Sequence, residues 1–414
     1  MASILGFHDL HPTTKRLLLA RSMRSVGQGM LVVDFALYLH ALNWNAVAIG
    51  LLLTSSSLFG ALLTLLIGAS SDRLKRKPFL LAYEAVVFIA GFATFISTRT
   101  LILSGAAIVA GFGRGAGGAA GPFSPAEQAW LAEEVPTEAR GRVYSLNAAL
   151  GFFGMGLGAV TAALPGLWGS YLPGSSAYRP LFLLVGLAAI GCLILLGGAG
   201  ETYHRPVPKI DLEHIEAETG IRRQENRLLR KLVLINSFNG FAIGLTGPLM
   251  SYWFALRFHV GPEAIGPVMG ATFFLTGFMS LFTGRLSERI GIVSSVVWAR
   301  LIGLVLLILL PLMPHYGLAA LCYLLRSAFT RGSAGAQQAL VMGLVQETRR
   351  GLAASLNAAA MQLPRSVGPT IAGYLLSIGL LAAPFYAAAA LQGVYVMLYD
   401  RFFRLYEPPV VPRG

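Results

Sequence analysis

The chain has 414 residues, of which 55% are hydrophobic and only 12% charged, with a formal net charge of +13. A soluble domain carries about 25% charged residues, so this composition cannot cover a water-facing surface and argues against soluble enzymes and nucleic-acid binders. The two cysteines, Cys192 and Cys322, both sit in apolar runs, which argues against a disulfide framework or a cysteine-rich metal site.

Long apolar segments recur along the chain. At about 20 residues per membrane-crossing helix, they predict spans over 17–41, 46–69, 79–98, 101–124, 143–164 and 180–199. Six more follow over 231–256, 264–283, 292–313, 318–345, 352–380 and 384–403. Twelve spans place both termini on one side. Met1–Arg16 has no cleavable-signal pattern, because His8, Asp9, His11, Lys15 and Arg16 precede the first apolar run.

The basic residues assign the sides. Of the 32 Lys and Arg, 22 fall on the side of the termini and three (Arg99, Arg179 and Arg257) on the other, with seven inside spans. Positive loops stay inside, so the termini are expected in the cytoplasm of an integral cell-membrane protein. The same asymmetry explains the net charge without a nucleic-acid partner. The expected domains are a six-helix bundle over 1–199, a cytoplasmic linker over 200–230 and a second bundle with a short tail over 231–414. Within the linker, the charged stretch Asp211–Arg230 has the option of an amphipathic helix on the membrane surface, but the preferred expectation is a plain linker joining the two halves.

The halves repeat. An offset of 210 residues aligns Gln128–Ala149 with Gln338–Ala359, matching Arg140, Gly141, Ser145, Leu146 and Asn147 to Arg350, Gly351, Ser355, Leu356 and Asn357. An offset of 216 aligns Ala48-Ile49-Gly50 with Ala264-Ile265-Gly266, and Gly68, Ser71 and Arg73 with Gly284, Ser287 and Arg289. Two like-oriented halves imply a pseudo-twofold axis along the membrane normal, with substrate bound between them near the midplane.

The loop Gly68-Ala-Ser-Ser-Asp72-Arg73-Leu-Lys-Arg76-Lys77 resembles the loop motif of the major facilitator superfamily, and Gly284-Arg-Leu-Ser-Glu288-Arg289-Ile-Gly291 is a second copy. The resemblance spans the whole chain and implies an all-α membrane protein of two six-helix bundles. Asp72 and Glu288 can cap helix N-termini and pair with arginine. Gly68, Asp72, Arg73, Arg76, Gly284, Glu288 and Arg289 are therefore the expected conformational latch.

Charges inside a bilayer are functional candidates, since each opposes insertion by about 2.5–3.5 kcal/mol. Asp34 is the one carboxylate well inside a predicted span. Desolvation favours its neutral form and a nearby arginine its charged form, a balance suited to proton exchange. Arg114, in Gly111-Phe-Gly113-Arg114-Gly-Ala-Gly117-Gly118, resembles the fourth-helix motif of drug-proton antiporters, with Gly117 where that family has Gln. The resemblance implies a role in proton transfer for Arg114, with Asp34 its natural partner.

Arg326, Arg331 and Arg365 are the expected cavity-facing cations, whereas Arg21, Arg24 and Arg300 are expected near lipid phosphates and Glu84 beside the adjacent basic loop. Gln28, Tyr38, Asn239, Tyr252, Asn357 and Gln362 are further candidate cavity residues. Two functions follow as expectations: proton-coupled export of amphipathic organic compounds by alternating access, and carriage of organic or phosphorylated anions clamped by Arg331 and Arg365. Neither needs a cofactor or an oligomer, so a monomer in the bilayer is expected. No His-Glu-x-x-His, Gly-x-Ser-x-Gly or phosphate-loop motif marks an enzyme or an ATP-driven pump.

Overall fold

The computed structural model describes residues 10–71, 75–114, 121, 123–135, 137–201, 215–333, 337, 340–341, 345 and 350–404. Among the described residues the regular elements are all helical. The first half contains α1 (Pro12–Ala41), α2 (Ala46–Ser71), α3 (Lys77–Ile96), α4 (Thr100–Ala110), α5 (Ser124–Glu133), α6 (Thr137–Thr161), α7 (Leu164–Trp168) and α8 (Arg179–Gly197). The second contains α9 (Ile215–Thr246), α10 (Met250–Phe258), α11 (Pro262–Ile290), α12 (Ile292–Leu309), α13 (Tyr316–Gly332), α14 (Arg350–Ser377) and α15 (Ala383–Phe403). Six stretches are long and apolar enough to cross a membrane by length and composition alone: 46–64, 77–96, 143–168, 174–197, 223–246 and 292–312. Helix α1 has 30 residues, about 45 Å of helix, but buries Arg21, Arg24 and Asp34 along its length.

Packing repeats with the sequence. In the first half α1 lies on α6 and α8, and α3 on α4 and α8; in the second, α9 lies on α14 and α15, and α12 on α13 and α15. The halves meet through α2 against α14 and α6 against α11. Small residues let these backbones approach: a Cβ on Gly50 would strike Pro369, one on Gly373 would strike Ala46, and one on Gly266 would press on Ala159. The Thr370 hydroxyl donates to Thr54 Oγ1 across the same seam at 2.8 Å. These contacts gather at the end where α1 finishes and α2 begins, and they join the halves there.

Several predicted spans differ: the seventh breaks after Thr246 and resumes as α10, and the helix of the tenth ends at Gly332. The fourth stops at Ala110, because Gly111 (φ +79°) and Gly113 (φ +78°) take left-handed conformations that L side chains resist. Helix α9 already runs from Ile215, so 215–230 continues the seventh span as helix. Leu228, Leu229, Leu232 and Ile235 are all buried, an apolar stripe at helical spacing that holds the extension against α15. Lys231 adds its ammonium over the Phe402 ring at 4.5 Å.

Candidate functional site

Two cavities share Met361 and Arg365 of α14. The first, about 240 Å³, lies between the halves and is lined by Gln28, Gly60, Tyr83, Arg114, Gln362 and Arg365, among others. The second, about 220 Å³, lies mostly in the second half and reaches Phe152 of α6. Four arginines line it: Arg300 from α12, Arg326 and Arg331 from α13, and Arg365 from α14.

The second cavity is strongly cationic. Arg331 and Arg300 both act on Arg326, and Arg331 acts on Arg365. Arg300 Nη1 donates to Asn239 Oδ1 at 3.0 Å and Nη2 to Gln337 Oε1 at 3.3 Å. Its guanidinium carbon lies 5.3 Å from the centroid of the Tyr395 ring. Gln337 Nε2 in turn donates to Asn236 Oδ1 at 3.0 Å, and Asn236 Nδ2 to Asn357 Oδ1 at 2.5 Å. Arg331 Nη2 donates to the Tyr323 hydroxyl at 3.4 Å and packs 5.3 Å from the Phe273 centroid. No carboxylate is among the described lining residues. The buried nitrogens here that lack a partner among the described residues, Arg300 Nε, Arg331 Nη1 and Gln392 Nε2, are all donors. A buried donor left unmet costs about 1–3 kcal/mol, so these three donors favour an acceptor beside them.

The first half contains a different cluster. Arg24 donates from Nε to Glu84 and from Nη1 to Glu127, and all three side chains are almost fully enclosed. Arg24 is thus neutralised inside the protein and does not reach lipid phosphates, and Glu84 is bound to it and not to the basic loop. Arg300 likewise is held by amides and a tyrosine ring in place of lipid. Glu127 escaped the sequence reading because the fourth span was drawn unbroken to residue 124, which left Glu127 in a loop. The break after Ala110 brings α5 back into the bundle, with Ala126 and Trp130 at 0% exposure.

Asp34 and Arg114 are not brought together. Asp34 is 1% exposed, and neither carboxyl oxygen has a partner among the described residues. Arg114 folds back over Gly111 and Gly60, where a Cβ would collide with its guanidinium, and Nη1 donates to the Ser56 carbonyl at 3.0 Å. It lines the first cavity; Asp34 lines neither of the two.

Other expected residues divide. Gln28 and Gln362 line the first cavity, and Asn357, Arg326, Arg331 and Arg365 the second, with Arg365 in both. Asn239 supports Arg300 from behind. Tyr38 and Tyr252 do not line either cavity: Tyr38 packs against Tyr178 and Phe182, and Tyr252 lies 5.2 Å from the His40 ring. Aromatic rings beside the seam between the halves are buried by packing there, which spacing along one helix cannot reveal.

Of the expected latch, Asp72 and Arg73 lie outside the described residues, as do the side chains of Gly68, Gly284, Glu288 and Arg289. Gly117 and Gly118 also lie outside them. Arg76 is described and joins segments of one bundle only. Its Nη1 lies 2.6 Å from Glu133 Oε2, while its backbone N–H donates to Glu201 at 2.6 Å. Glu201 also accepts from the Lys77 backbone N–H at 3.2 Å, capping the positive end of α3.

A family model described as Major Facilitator Superfamily matches residues 17–230 and 232–413. No curated protein sequence matches the chain. Among solved structures, a bacterial homolog to the human lysosomal transporter Spinster, inward-facing and unoccupied, has 17% identity and a TM-score of 0.71, covering 95% of this chain and 97% of that one. A D-xylose-proton symporter has 15% identity and a TM-score of 0.72, covering 94% and 97%. The human organic anion transporter MFSD10 (TETRAN) has 18% identity and a TM-score of 0.61, covering 94% and 100%. At such identities the likeness is one of fold.

Proposed function

We propose a substrate class from one premise: the chain belongs to the Major Facilitator Superfamily and is a membrane transporter, not an enzyme. Its solute is an organic anion. The observation that carries this reading is the cavity lined by Arg300, Arg326, Arg331 and Arg365, with no carboxylate among its described lining residues. Charge-assisted bonds from arginine to carboxylate, sulfonate or phosphate are short, strong and often bidentate. A desolvated cavity strengthens them further. The adjoining cavity, lined by Gln28, Tyr83 and Gln362 together with Arg114 and Arg365, offers room for the rest of the same molecule.

Transport follows by rocking the two bundles about this space. The seam of Gly50, Gly266, Thr54 and Thr370 joins the halves at one end, and the charge asymmetry of the loops supports a reading in which that end faces away from the cytoplasm. Asp34 is the proposed carrier of a coupling proton: an enclosed carboxyl without a bonding partner loses a buried charge on protonation. Export of amphipathic drugs is the less favoured reading, because the wall of the second cavity repels cations.

The test is a ligand panel on the purified full chain. A ligand at 100 times its dissociation constant stabilises by about 2.7 kcal/mol. Phenyl phosphate, naphthalene-1-sulfonate or phthalate is expected to raise the unfolding temperature, and Arg331→Gln and Arg365→Gln to remove that effect. Stabilisation by tetraphenylphosphonium or ethidium alone would overturn the reading.

A further inference from the structure

The two buried polar clusters occupy equivalent places in the repeat. The offset of 216 residues that aligns Gly50 with Gly266 also takes Glu84 of α3 to Arg300 of α12. The offset of 210 that aligns Gln128 with Gln338 takes Glu127 to Gln337. The environments agree: Trp130, Leu131 and Val135 are buried beside Glu127 as Leu340, Val341 and Val345 are buried beside Gln337. Helices α1 and α9 correspond through their close approaches. Gly29 abuts Met155 and Gly244 abuts Arg365, while Gly158 abuts Val26 and Met30 and Gly368 abuts Gly244 and Leu245. That register takes Arg24 to Asn239 and Arg21 to Asn236.

The geometry is therefore the same and the charge is not. The first half sets Arg21 and Arg24 with Glu84 and Glu127, two cations with two anions. In the second half the corresponding four positions are Asn236, Asn239, Arg300 and Gln337, one cation among three amides. The amide oxygens of Asn239 and Gln337 accept from both terminal nitrogens of Arg300. An amide fixes a guanidinium as a carboxylate would but leaves its charge in place. The Tyr395 ring supports the cation from another side.

We infer that Gln337 and Asn239 are specificity-determining positioning residues: they occupy the places of Glu127 and Arg24 and hold Arg300 towards the cavity without neutralising it, so that the solute must be an anion. This rests on the proposed anion reading.

The test titrates phenyl phosphate, naphthalene-1-sulfonate and phthalate against the purified full chain and carries the tightest forward. Gln337→Glu installs the carboxylate that the first half has at this place, and Gln337→Leu removes the acceptor without adding charge. Gln337→Glu is expected to weaken binding at least about tenfold, a loss of about 1.4 kcal/mol, and Gln337→Leu by less than about threefold. Asn239→Asp adds the same charge on the other side of Arg300 and gives the same loss, so a poorly folding Gln337 variant does not decide the matter. Equal losses in Gln337→Glu and Gln337→Leu, or full binding by Gln337→Glu or Asn239→Asp, would overturn the inference while leaving the anion reading intact. Failure of all three anions to bind the wild-type protein would overturn both.

Discussion

Arg24 and Arg300 are both enclosed guanidiniums held by two side chains, yet they differ in what remains of their charge. Arg24 meets Glu84 and Glu127 and serves to bind α1, α3 and α5 together. Among the described residues Arg300 meets two amides and a ring, and in the proposed reading its charge stays available to the cavity. The sequence exposes the arginines as costly buried charges, but not their partners, since each partner comes from a different helix. Glu127 lay in an assumed loop, and Asn239 and Gln337 carry no charge to draw notice. Asp34 stood out as the lone carboxylate of its span and is indeed enclosed; its supposed partner Arg114 bonds to Ser56 on α2 instead. If Asp34 carries the coupling proton, Asp34→Asn keeps the shape of the neutral acid. It should leave stability within about 1 kcal/mol of wild type while abolishing anion accumulation driven by a pH gradient across liposomes. Gradient-driven accumulation that persists in Asp34→Asn would remove Asp34 from the coupling path.

At the scale of elements, apolar length and the basic loops made the spans legible, and the repeat made the pairing of halves legible. Breaks within spans were not. Gly111 and Gly113 unwind the fourth span because glycine alone accepts their dihedral angles cheaply, and a composition count sees only more small residues. The seam between α2 and α14 is a similar case: Gly50, Gly373, Thr54 and Thr370 lie on separate helices, and only packing brings them into register. Alternating access requires this seam to part. Thr54→Cys with Thr370→Cys places two thiols where the hydroxyls lie 2.8 Å apart, and the native Cys192 and Cys322 are buried and free. Oxidation should cross-link the pair and reduce transport at least about tenfold, with reductant restoring it, since a closed disulfide forbids the needed separation. A cross-linked protein that still transports at the uncrosslinked rate would mean that this seam does not move.

For the whole molecule, the two bundles share a fold but divide the labour. The first pairs its buried Arg24 with Glu84 and Glu127. The second leaves four arginines facing a space of about 220 Å³ that opens onto residues shared with the cavity between the halves. A solute bound there would touch Phe152 of the first bundle as well as Met361 and Arg365 of the second, which would couple binding to the proposed rocking. Such a carrier exchanges solute for solute across the membrane faster than it returns empty, whereas a pore does not distinguish the two. The direct measurement is counterflow in liposomes containing the purified protein, with naphthalene-1-sulfonate inside and a labelled trace of the same anion outside. The account predicts a transient accumulation of label that needs the internal anion and disappears in Arg331→Gln and Arg365→Gln. Label that merely equilibrates, or accumulation that survives both substitutions, would contradict it.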